Sequence, residues 1–185
     1  MKEISQRINN TKLVMLGFGE NKYLLKRLIR CFNLEDNVVL IGYEENVAKY
    51  MARAKVLVLC SEVEACPCAL LESLAMGLPS VSVDCPGGIR ELLSSKRVIR
   101  EKPYTENTVL ECGIITPQIT IKKQEASRAL LSKEEKLFAQ GICMLLEDDE
   151  LRKKLSKGSE KRAKRFDQDN IKKEWLNLLE RNKHK

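Results

Sequence analysis

Histidine is almost absent from the sequence: the single one among 185 residues is His184, close to the end of a basic tail. A closed zinc site needs four ligands, so the Cys66-Pro67-Cys68 segment has too few potential partners to form one. We therefore expect no bound metal, and no nucleic acid is expected among the partners.

Long apolar runs and a secretory leader are also missing. The run from Val56 to Cys60 is among the longest apolar ones and is far too short to span a bilayer. No charged-then-apolar leader opens the chain, and its seven cysteines are an odd number. Reduced thiols and a cytoplasmic location are therefore expected.

The net charge of +7 is concentrated at the carboxy-terminal end. Residues 150–185 carry 13 Lys and Arg against 6 Asp and Glu, whereas residues 1–149 carry 20 of each. This excess is typical of a solvated helix face, but it would also attract an anionic surface. A peripheral contact between the segment Arg152 to Lys173 and anionic lipid headgroups is the hypothesis that follows from the second interpretation.

Strand-like and helix-like segments alternate along the first two thirds of the chain. The predicted strands are residues 12–16, 38–41, 56–60, 81–83 and 112–115, and the predicted helices are residues 21–31, 46–53, 67–76 and 89–94. Short links between them predict an α/β fold in which one doubly wound parallel sheet is covered by helices on both faces. The run Val56 to Cys60 is wholly apolar, as expected of a strand buried on both sides.

The remainder of the chain has a different pattern. Residues 116–132 are polar and poorly periodic, which predicts a loop insertion, and residues 133–185 are predicted to be helical. Phe166 marks a break, and an apolar stripe of Ile171, Trp175, Leu178 and Leu179 predicts the last helix. The whole chain, residues 1–185, is predicted to be a single domain with a helical carboxy-terminal segment.

Four predicted loops follow the carboxyl ends of the strands, where open parallel sheets bind their ligands. They are Gly17-Phe18-Gly19, Gly42-Tyr43-Glu44, Ser61 to Cys66, and Cys85 to Gly88. Because the ends of parallel strands share one edge of the sheet, these loops are candidates for a single site.

Two glutamates, Glu64 in a loop and Glu72 on the following helix, are separated by seven residues. A carboxylate accepts hydroxyl hydrogen bonds, which suits a ribose or a sugar ring. Between them, the free N–H groups near Cys68, Ala69 and Leu70 at the helix start can hold a diphosphate. On spacing alone, both glutamates could equally be solvated surface residues.

The string around these glutamates, from Cys60 to Val81, resembles the signature of the large retaining GT-B glycosyltransferase family that includes sucrose synthases and many mannosyl- and glucosyltransferases. That signature runs serine, glutamate, glycine, an aromatic and proline, then glutamate-alanine and glycine-x-proline. Further segments are similar to the family in the same order, namely Lys12 to Gly19, Asn37 to Gly42, Pro86 to Glu91, and Gly113 to Ile115.

The resemblance implies the Rossmann-like, donor-binding carboxy-terminal half of a GT-B fold, with a nucleotide-diphosphate sugar as substrate. It implies that Glu72 holds the ribose hydroxyls, that Glu64 contacts the donor hexose near the reacting centre, and that backbone at Tyr43 and Glu44 meets the base. Gly17 and Gly19 would form the family's strand-to-helix turn. The family retains anomeric configuration and works without a metal or other cofactor, so none is expected here.

Several departures from the family pattern affect the expected activity. Ala65 replaces the usual glycine and Cys66 the usual aromatic. Lys2 to Ile8 resembles the end of the family's first helix, so the preceding strand and an Arg-Lys pair that neutralises the diphosphate are not found. The acceptor-binding amino-terminal domain is not found either.

We therefore expect a donor-binding domain from polysaccharide, glycolipid or other glycoconjugate synthesis that is inactive as this isolated chain. It would need an amino-terminal acceptor domain or a partner subunit. A non-catalytic nucleotide-sugar-binding subunit or interaction module is the alternative, and a doubly wound domain for some other phosphate ligand also stays open because fold alone does not fix function.

Overall fold

Strands and helices alternate in the computed structural model, which describes residues 1–95, 102–119 and 131–182. The strands are β1 (Leu13–Leu16), β2 (Val38–Gly42), β3 (Leu57–Leu59), β4 (Ser80–Val83), β5 (Thr108–Val109) and β6 (Gly113–Thr116). The helices are α1 (Lys2–Arg7), α2 (Lys22–Cys31), α3 (Ala48–Met51), α4 (Cys68–Ala75), α5 (Ile89–Leu93), α6 (Lys133–Glu147), α7 (Asp149–Ala163) and α8 (Gln168–Asn182). A short 3-10 turn, Lys164–Phe166, joins α7 to α8 and confirms the break predicted at Phe166.

The α/β class with parallel strand pairing is confirmed, but the single predicted sheet is wrong. Hydrogen bonds group the strands into a parallel pair, β1-β2, and a four-stranded sheet in the order β3-β4-β6-β5. Within the described residues β1 pairs only with β2, and β3 pairs only with β4, so each carries one open edge. The antiparallel β5 was not predicted, because a two-residue strand that folds back onto β6 leaves almost no periodic pattern.

The hydrophobic core lies on the two faces of β4 and β6. Val83 and Ile115 face one cluster with Leu70, Leu74 and Leu93 of α4 and α5. On the other face, Val81 and Ile114 pack in a second cluster, whose further fully or almost fully buried members are Ile4, Ile142, Cys143, Leu145 and Leu155. Helices therefore cover both faces of these two central strands, as a doubly wound arrangement requires.

The strands before β4 are much less buried than their apolar sequences predict. Every residue of β3 is only half-buried, so the predicted cover on its two faces is partial: Leu57 and Leu59 pack against one core cluster and Val58 packs against the other. Val14 of β1 is 43% exposed, and α2 contributes no fully buried side chain. An apolar run fixes which residues can be buried, but only neighbouring elements can bury them, and β4 and β6 have those neighbours.

The carboxy-terminal helices begin at a strong local signal. The Ser132 side chain accepts the Glu135 N–H at 3.1 Å, and the Glu135 carboxylate accepts the Ser132 N–H at 2.7 Å, which forms a capping box. The predicted loop insertion starts too early, because Thr116 is the buried last residue of β6. Residues 120–130 of that insertion lie outside the described residues. The predicted apolar stripe on α8 is exposed, with Trp175 61% accessible.

Candidate functional site

Glu64 is held at the carboxyl end of β3 by backbone hydrogen bonds to the loop that follows β4. Its N–H donates to the Pro86 carbonyl at 3.0 Å, and its own carbonyl accepts the Gly88 N–H at 3.0 Å. The two segments therefore run as a short parallel bridge centred on Glu64 and Gly87. Two of the four predicted loops are thus joined directly, and Glu64 belongs to the joint.

Glycine is required on the β4 side of this bridge. Gly87 has a φ of +125°, and a Cβ built there would lie 1.6 Å from the Glu64 carbonyl oxygen. A Cβ at Gly88 would lie 2.5 Å from the Ala65 carbonyl oxygen. The Gly-Gly pair therefore lets two backbones approach more closely than any side chain would permit.

The Glu64 carboxylate is half-buried and has a hydrogen-bond partner of its own. The Ser61 hydroxyl donates to Glu64 Oε1 at 2.7 Å across the turn of the loop. Sequence reasoning quoted Ser61 only as part of the family string, although a hydroxyl three residues before a loop carboxylate is a local pattern that could have indicated this contact. The hydrogen bond leaves the second oxygen, Oε2, for another donor.

Helix α4 starts immediately after this loop, with Pro67 at its N-cap position. The Leu70 N–H donates to the Pro67 carbonyl at 3.0 Å, and the Leu70 side chain is fully buried. The N–H groups of Cys68 and Ala69 have no acceptor among the described residues. Of the three predicted diphosphate contacts, these two remain open to a ligand, whereas the Leu70 N–H is engaged by the helix itself.

Glu72 lies one turn further along α4, on the same face as Cys68, because residues i and i+4 are neighbours on a helix. Its side chain is exposed. The opposite side of the helix is anchored in the core through Leu70 and Leu74, and the Ser73 hydroxyl donates to the Leu70 carbonyl at 2.8 Å. The direction of the Glu72 side chain is therefore fixed by a rigid helix rather than by a loop.

The remaining predicted residues lie at the carboxyl ends of β1 and β2. Gly17 and Gly42 have positive φ angles of +116° and +91°, and the Gly17 N–H donates to the Gly42 carbonyl at 2.7 Å. Next to the hydrogen bond between Gly17 and Gly42, the exposed Tyr43 ring contacts the exposed Phe18 ring edge-on, with centroids 6.2 Å apart. Gly19 accepts the Lys22 N–H at the start of α2, at 3.3 Å.

The Glu44 carboxylate is occupied by its own loop. It pairs with Lys49 at 2.7 Å and accepts hydrogen bonds from the Asn46 N–H and the Tyr50 hydroxyl. The pKa of Glu44 is lowered by these contacts, first by the hydrogen bond from Lys49. A ligand at this loop would therefore meet the backbone of residues 43 and 44 rather than this carboxylate.

The predicted residues thus form two groups. Glu64, Glu72, Cys68, Ala69 and Leu70 lie on the loop and helix that follow β3, whereas Gly17, Gly19, Tyr43 and Glu44 lie at the end of the β1-β2 pair.

Sequence reasoning missed a buried ion pair beneath the Gly-Gly loop. Asp84 directly follows β4, Arg90 lies on α5, and their side chains form a bidentate pair with contacts of 2.6 and 2.5 Å. The pKa of the Arg90 guanidinium is raised, mainly by the hydrogen bond to Asp84. A paired Asp and Arg six residues apart across a Gly-Gly turn is the signal that could have pointed to it.

Residues 1–95, 102–119 and 131–182 contain neither a metal-binding cluster nor a membrane-spanning helix. No group of three or more His, Cys, Asp or Glu side chains in this part of the chain is arranged to hold a metal ion. None of its helices combines the length and the apolar character that a membrane crossing demands.

Comparison with known proteins gives consistent matches. The family model described as "Glycosyl transferases group 1" matches residues 1–103. An uncharacterized glycosyltransferase of Methanocaldococcus jannaschii is 36% identical over 184 residues, covering 97% of this chain and 44% of that protein. A Campylobacter jejuni enzyme, N-acetylgalactosamine-N,N'-diacetylbacillosaminyl-diphospho-undecaprenol 4-alpha-N-acetylgalactosaminyltransferase, is 33% identical over 168 residues, covering 91% of this chain and 38% of the enzyme.

Among solved structures, Anabaena HepE in complex with UDP superposes with a TM-score of 0.72 at 20% identity. The match covers 97% of this chain and 43% of HepE, and it supports the GT-B type of fold. The chain spans less than half the length of each of these proteins. The matching family model, together with relatives above 30% identity across almost the whole chain, shows that this chain belongs to the group 1 glycosyl transferases.

Proposed function

We propose that this chain is the nucleotide-sugar donor-binding domain of a retaining glycosyltransferase that acts in polysaccharide, glycolipid or other glycoconjugate synthesis. The observation that carries the proposal is the joint at Glu64. One bridge of backbone hydrogen bonds holds this carboxylate directly before α4, whose first N–H groups are open and whose next turn carries Glu72.

Each part of a nucleotide sugar has a matching group in this arrangement. The N–H groups of Cys68 and Ala69 suit the diphosphate, because a helix N-terminus carries partial positive charge. Glu72 would accept hydrogen bonds from the ribose hydroxyls, and Glu64 from the donor hexose. The backbone at Tyr43 and Glu44 would meet the base. HepE in complex with UDP, as a protein of the same fold, supports a nucleotide ligand of this class.

The proposed reaction is transfer of the hexose with retention at the anomeric carbon. The bond from that carbon to the donor phosphate oxygen breaks, and a bond to the acceptor hydroxyl oxygen forms on the same face. The departing phosphate takes the acceptor proton, and Glu64 lies beside the positive charge that develops on the sugar. Neither a metal nor an organic cofactor is part of this proposal. The helix start and cationic groups would offset the charge of the leaving diphosphate.

We propose that the acceptor is bound by a second body, either an amino-terminal domain or a partner subunit. The chain spans less than half the length of its relatives. Within the described residues β1 and β3 each have an open edge, and Trp175, Leu178 and Leu179 of α8 are at least half exposed. Apolar strands and helices normally bury such surfaces, so they suit contact with a further body.

We also propose a cytoplasmic location with peripheral contact to an anionic membrane face. The C. jejuni relative is named for a substrate linked to diphospho-undecaprenol, which is a lipid. On α7 the side chains of Lys154, Lys157 and Lys161 are exposed, whereas Arg152 is held by Asp149 and by the Leu145 carbonyl. The lysines are therefore the residues of this helix that are available to lipid headgroups.

Calorimetric titration of UDP, UMP and uridine into the purified chain tests the donor-binding proposal. UDP should bind at least about tenfold more tightly than UMP, because the second phosphate adds charge-assisted hydrogen bonds at the helix start, each worth roughly 1.5–3 kcal/mol. The same panel with ADP and GDP would identify the base. A folded chain that binds none of these nucleotides would contradict the proposal.

Transfer assays separate the transferase from its alternative, a non-catalytic binding subunit or interaction module. We expect the isolated chain to bind the donor without transferring sugar, because acceptor positioning accounts for several kcal/mol of barrier lowering. Adding a matching acceptor domain should restore transfer. Nucleotide binding with no transfer in the presence of that domain would favour the alternative.

A further inference from the structure

A buried charge pair closes the Gly-Gly loop at its base. Arg90 Nε donates to Asp84 Oδ1 at 2.6 Å, and Arg90 Nη2 donates to Asp84 Oδ2 at 2.5 Å. The two side chains are only 10% and 4% exposed. Because both ends of the fork are engaged, the pair fixes orientation as well as distance between the end of β4 and α5.

Tyr104 adds two further contacts to the pair. The Tyr104 N–H donates to Asp84 Oδ2 at 3.0 Å, and the Arg90 guanidinium lies over the Tyr104 ring, 4.8 Å from its centroid. Arg90 Nη2 also donates to the Lys102 carbonyl at 3.1 Å. The pair is therefore fastened to a third segment of the chain and cannot rotate without breaking several contacts.

The chain between the two charged residues is the loop that holds Glu64. Residues 85–89 connect Asp84, which directly follows β4, to Arg90, the second residue of α5. Within them the Pro86 carbonyl and the Gly88 N–H make the two backbone hydrogen bonds to Glu64, each at 3.0 Å. The loop whose two ends are held by the buried pair therefore carries both hydrogen bonds to the backbone of Glu64.

We propose that Asp84 and Arg90 are positioning residues that set the place of the Glu64 carboxylate, and thereby how the sugar portion of the donor is held. The part concerning Glu64 geometry stands on the structure alone, and the part concerning the sugar rests on the proposed function. A buried ion pair often contributes no more stability than apolar side chains of similar volume. Its bidentate geometry is therefore better explained by positioning than by stability.

Hydrogen–deuterium exchange at single amides tests the first part without any ligand. Arg90→Lys keeps the charge but loses the planar fork, and Asp84→Asn keeps the shape but loses the charge. In both variants the amides of Glu64 and Gly88 should exchange at least about tenfold faster, which corresponds to about 1.4 kcal/mol of local opening. Arg7→Lys, in the exposed pair with Glu147, is the matched control and should leave these amides unchanged.

Two exchange results would overturn the proposal. Unchanged exchange at Glu64 and Gly88 in both variants would show that the pair does not hold the loop. Equal acceleration throughout β4 and β6 would show that it holds the core as a whole. Asp84→Glu, which keeps charge and hydrogen-bonding capacity, should restore slow exchange at least partly.

A double-mutant cycle with Glu64→Gln tests the second part, using UDP and UDP-glucose as probes. Arg90→Lys should weaken UDP-glucose by about tenfold and UDP by less than about twofold, and the first effect should vanish on the Glu64→Gln background. Full additivity of the two substitutions would overturn the positioning role. Wild-type chain that binds neither probe would instead contradict the proposed function, and the exchange experiment would still decide the geometry.

Discussion

Substitution of Gly87 by alanine should break the joint that holds Glu64. Two costs add at this position. The φ of +125° disfavours any residue with a Cβ, and the Cβ itself would lie 1.6 Å from the Glu64 carbonyl oxygen. The second contact is impossible, so the loop must move away and lose the two hydrogen bonds that Glu64 makes to Pro86 and Gly88.

The magnitude follows from these terms. Backbone strain at positive φ costs about 1–2 kcal/mol. Two lost backbone hydrogen bonds cost about 0.5–1.5 kcal/mol each. We therefore expect Gly87→Ala to lower the free energy of unfolding by about 2–5 kcal/mol, a large share of the roughly 5–15 kcal/mol that is usual for a domain.

Two other glycines separate the contributions in the same assay, urea unfolding followed by circular dichroism. Gly42 has a φ of +91° but nothing within 4 Å of its built Cβ, so Gly42→Ala measures backbone strain alone. Gly19 has open space and no positive φ, so Gly19→Ala should change stability by less than about 1 kcal/mol. Equal losses in Gly87→Ala and Gly42→Ala would refute the close approach at Glu64.

Three further predictions concern the rest of the chain. Gly158→Ala should lower the free energy of unfolding by more than about 2 kcal/mol, because its Cβ would lie 2.0 Å from the Glu111 carbonyl oxygen. The variant Lys157→Ala, at an exposed neighbouring residue, should change this free energy little. Equal effects of the two variants in urea unfolding would contradict the packing of α7. Burial raises the pKa of Cys112 from 9.0 to about 11, so the folded state favours the protonated thiol, and the resulting stability is full below about pH 9 and lost as the pH rises towards 11. The free energy of unfolding should therefore fall by roughly 2 kcal/mol between pH 8 and 10.5. Cys112→Ala should make this decline with pH smaller. If the variant loses as much stability over the same pH range as the wild type, Cys112 is not the cause of the decline. If the basic segment Arg152 to Lys173 contacts membranes, binding to anionic vesicles should weaken steeply with salt, and equal partitioning onto neutral and anionic vesicles would remove that hypothesis.

The sequence predicted those features of the fold that depend on local patterns. Parallel strands alternating with helices, the helix end near Gly77 and the break at Phe166 all follow from periodicity and from the residues at helix ends. Burial of β3 and β1 could not be predicted in this way. β4 alternates Ser and Val yet is fully buried, whereas the wholly apolar β1 and β3 are not, because whether a strand is covered depends on elements that are distant in sequence.

The candidate site shows the same division. The string from Cys60 to Val81 was enough to predict Glu64 in a loop and Glu72 on a helix. The bridge between Glu64 and Gly87 depends on contacts between different elements and has no spacing pattern, whereas the pair of Asp84 with Arg90 had only the weak signal of an Asp and an Arg on either side of a Gly-Gly turn. The sequence prediction also left the Leu70 N–H open to a ligand, whereas this N–H donates to the Pro67 carbonyl within the first turn of α4.

The central claim is that Glu72 and Glu64 bind different parts of a nucleotide sugar. Calorimetric titration of UDP into the wild type, Glu72→Gln and Glu64→Gln tests it most directly. Glu72→Gln should weaken UDP by at least about tenfold, because charge-assisted hydrogen bonds to ribose are worth roughly 1.5–3 kcal/mol each, and Glu64→Gln should weaken it by less than about twofold. Equal losses in the two variants, or no loss in either, would contradict the assignment.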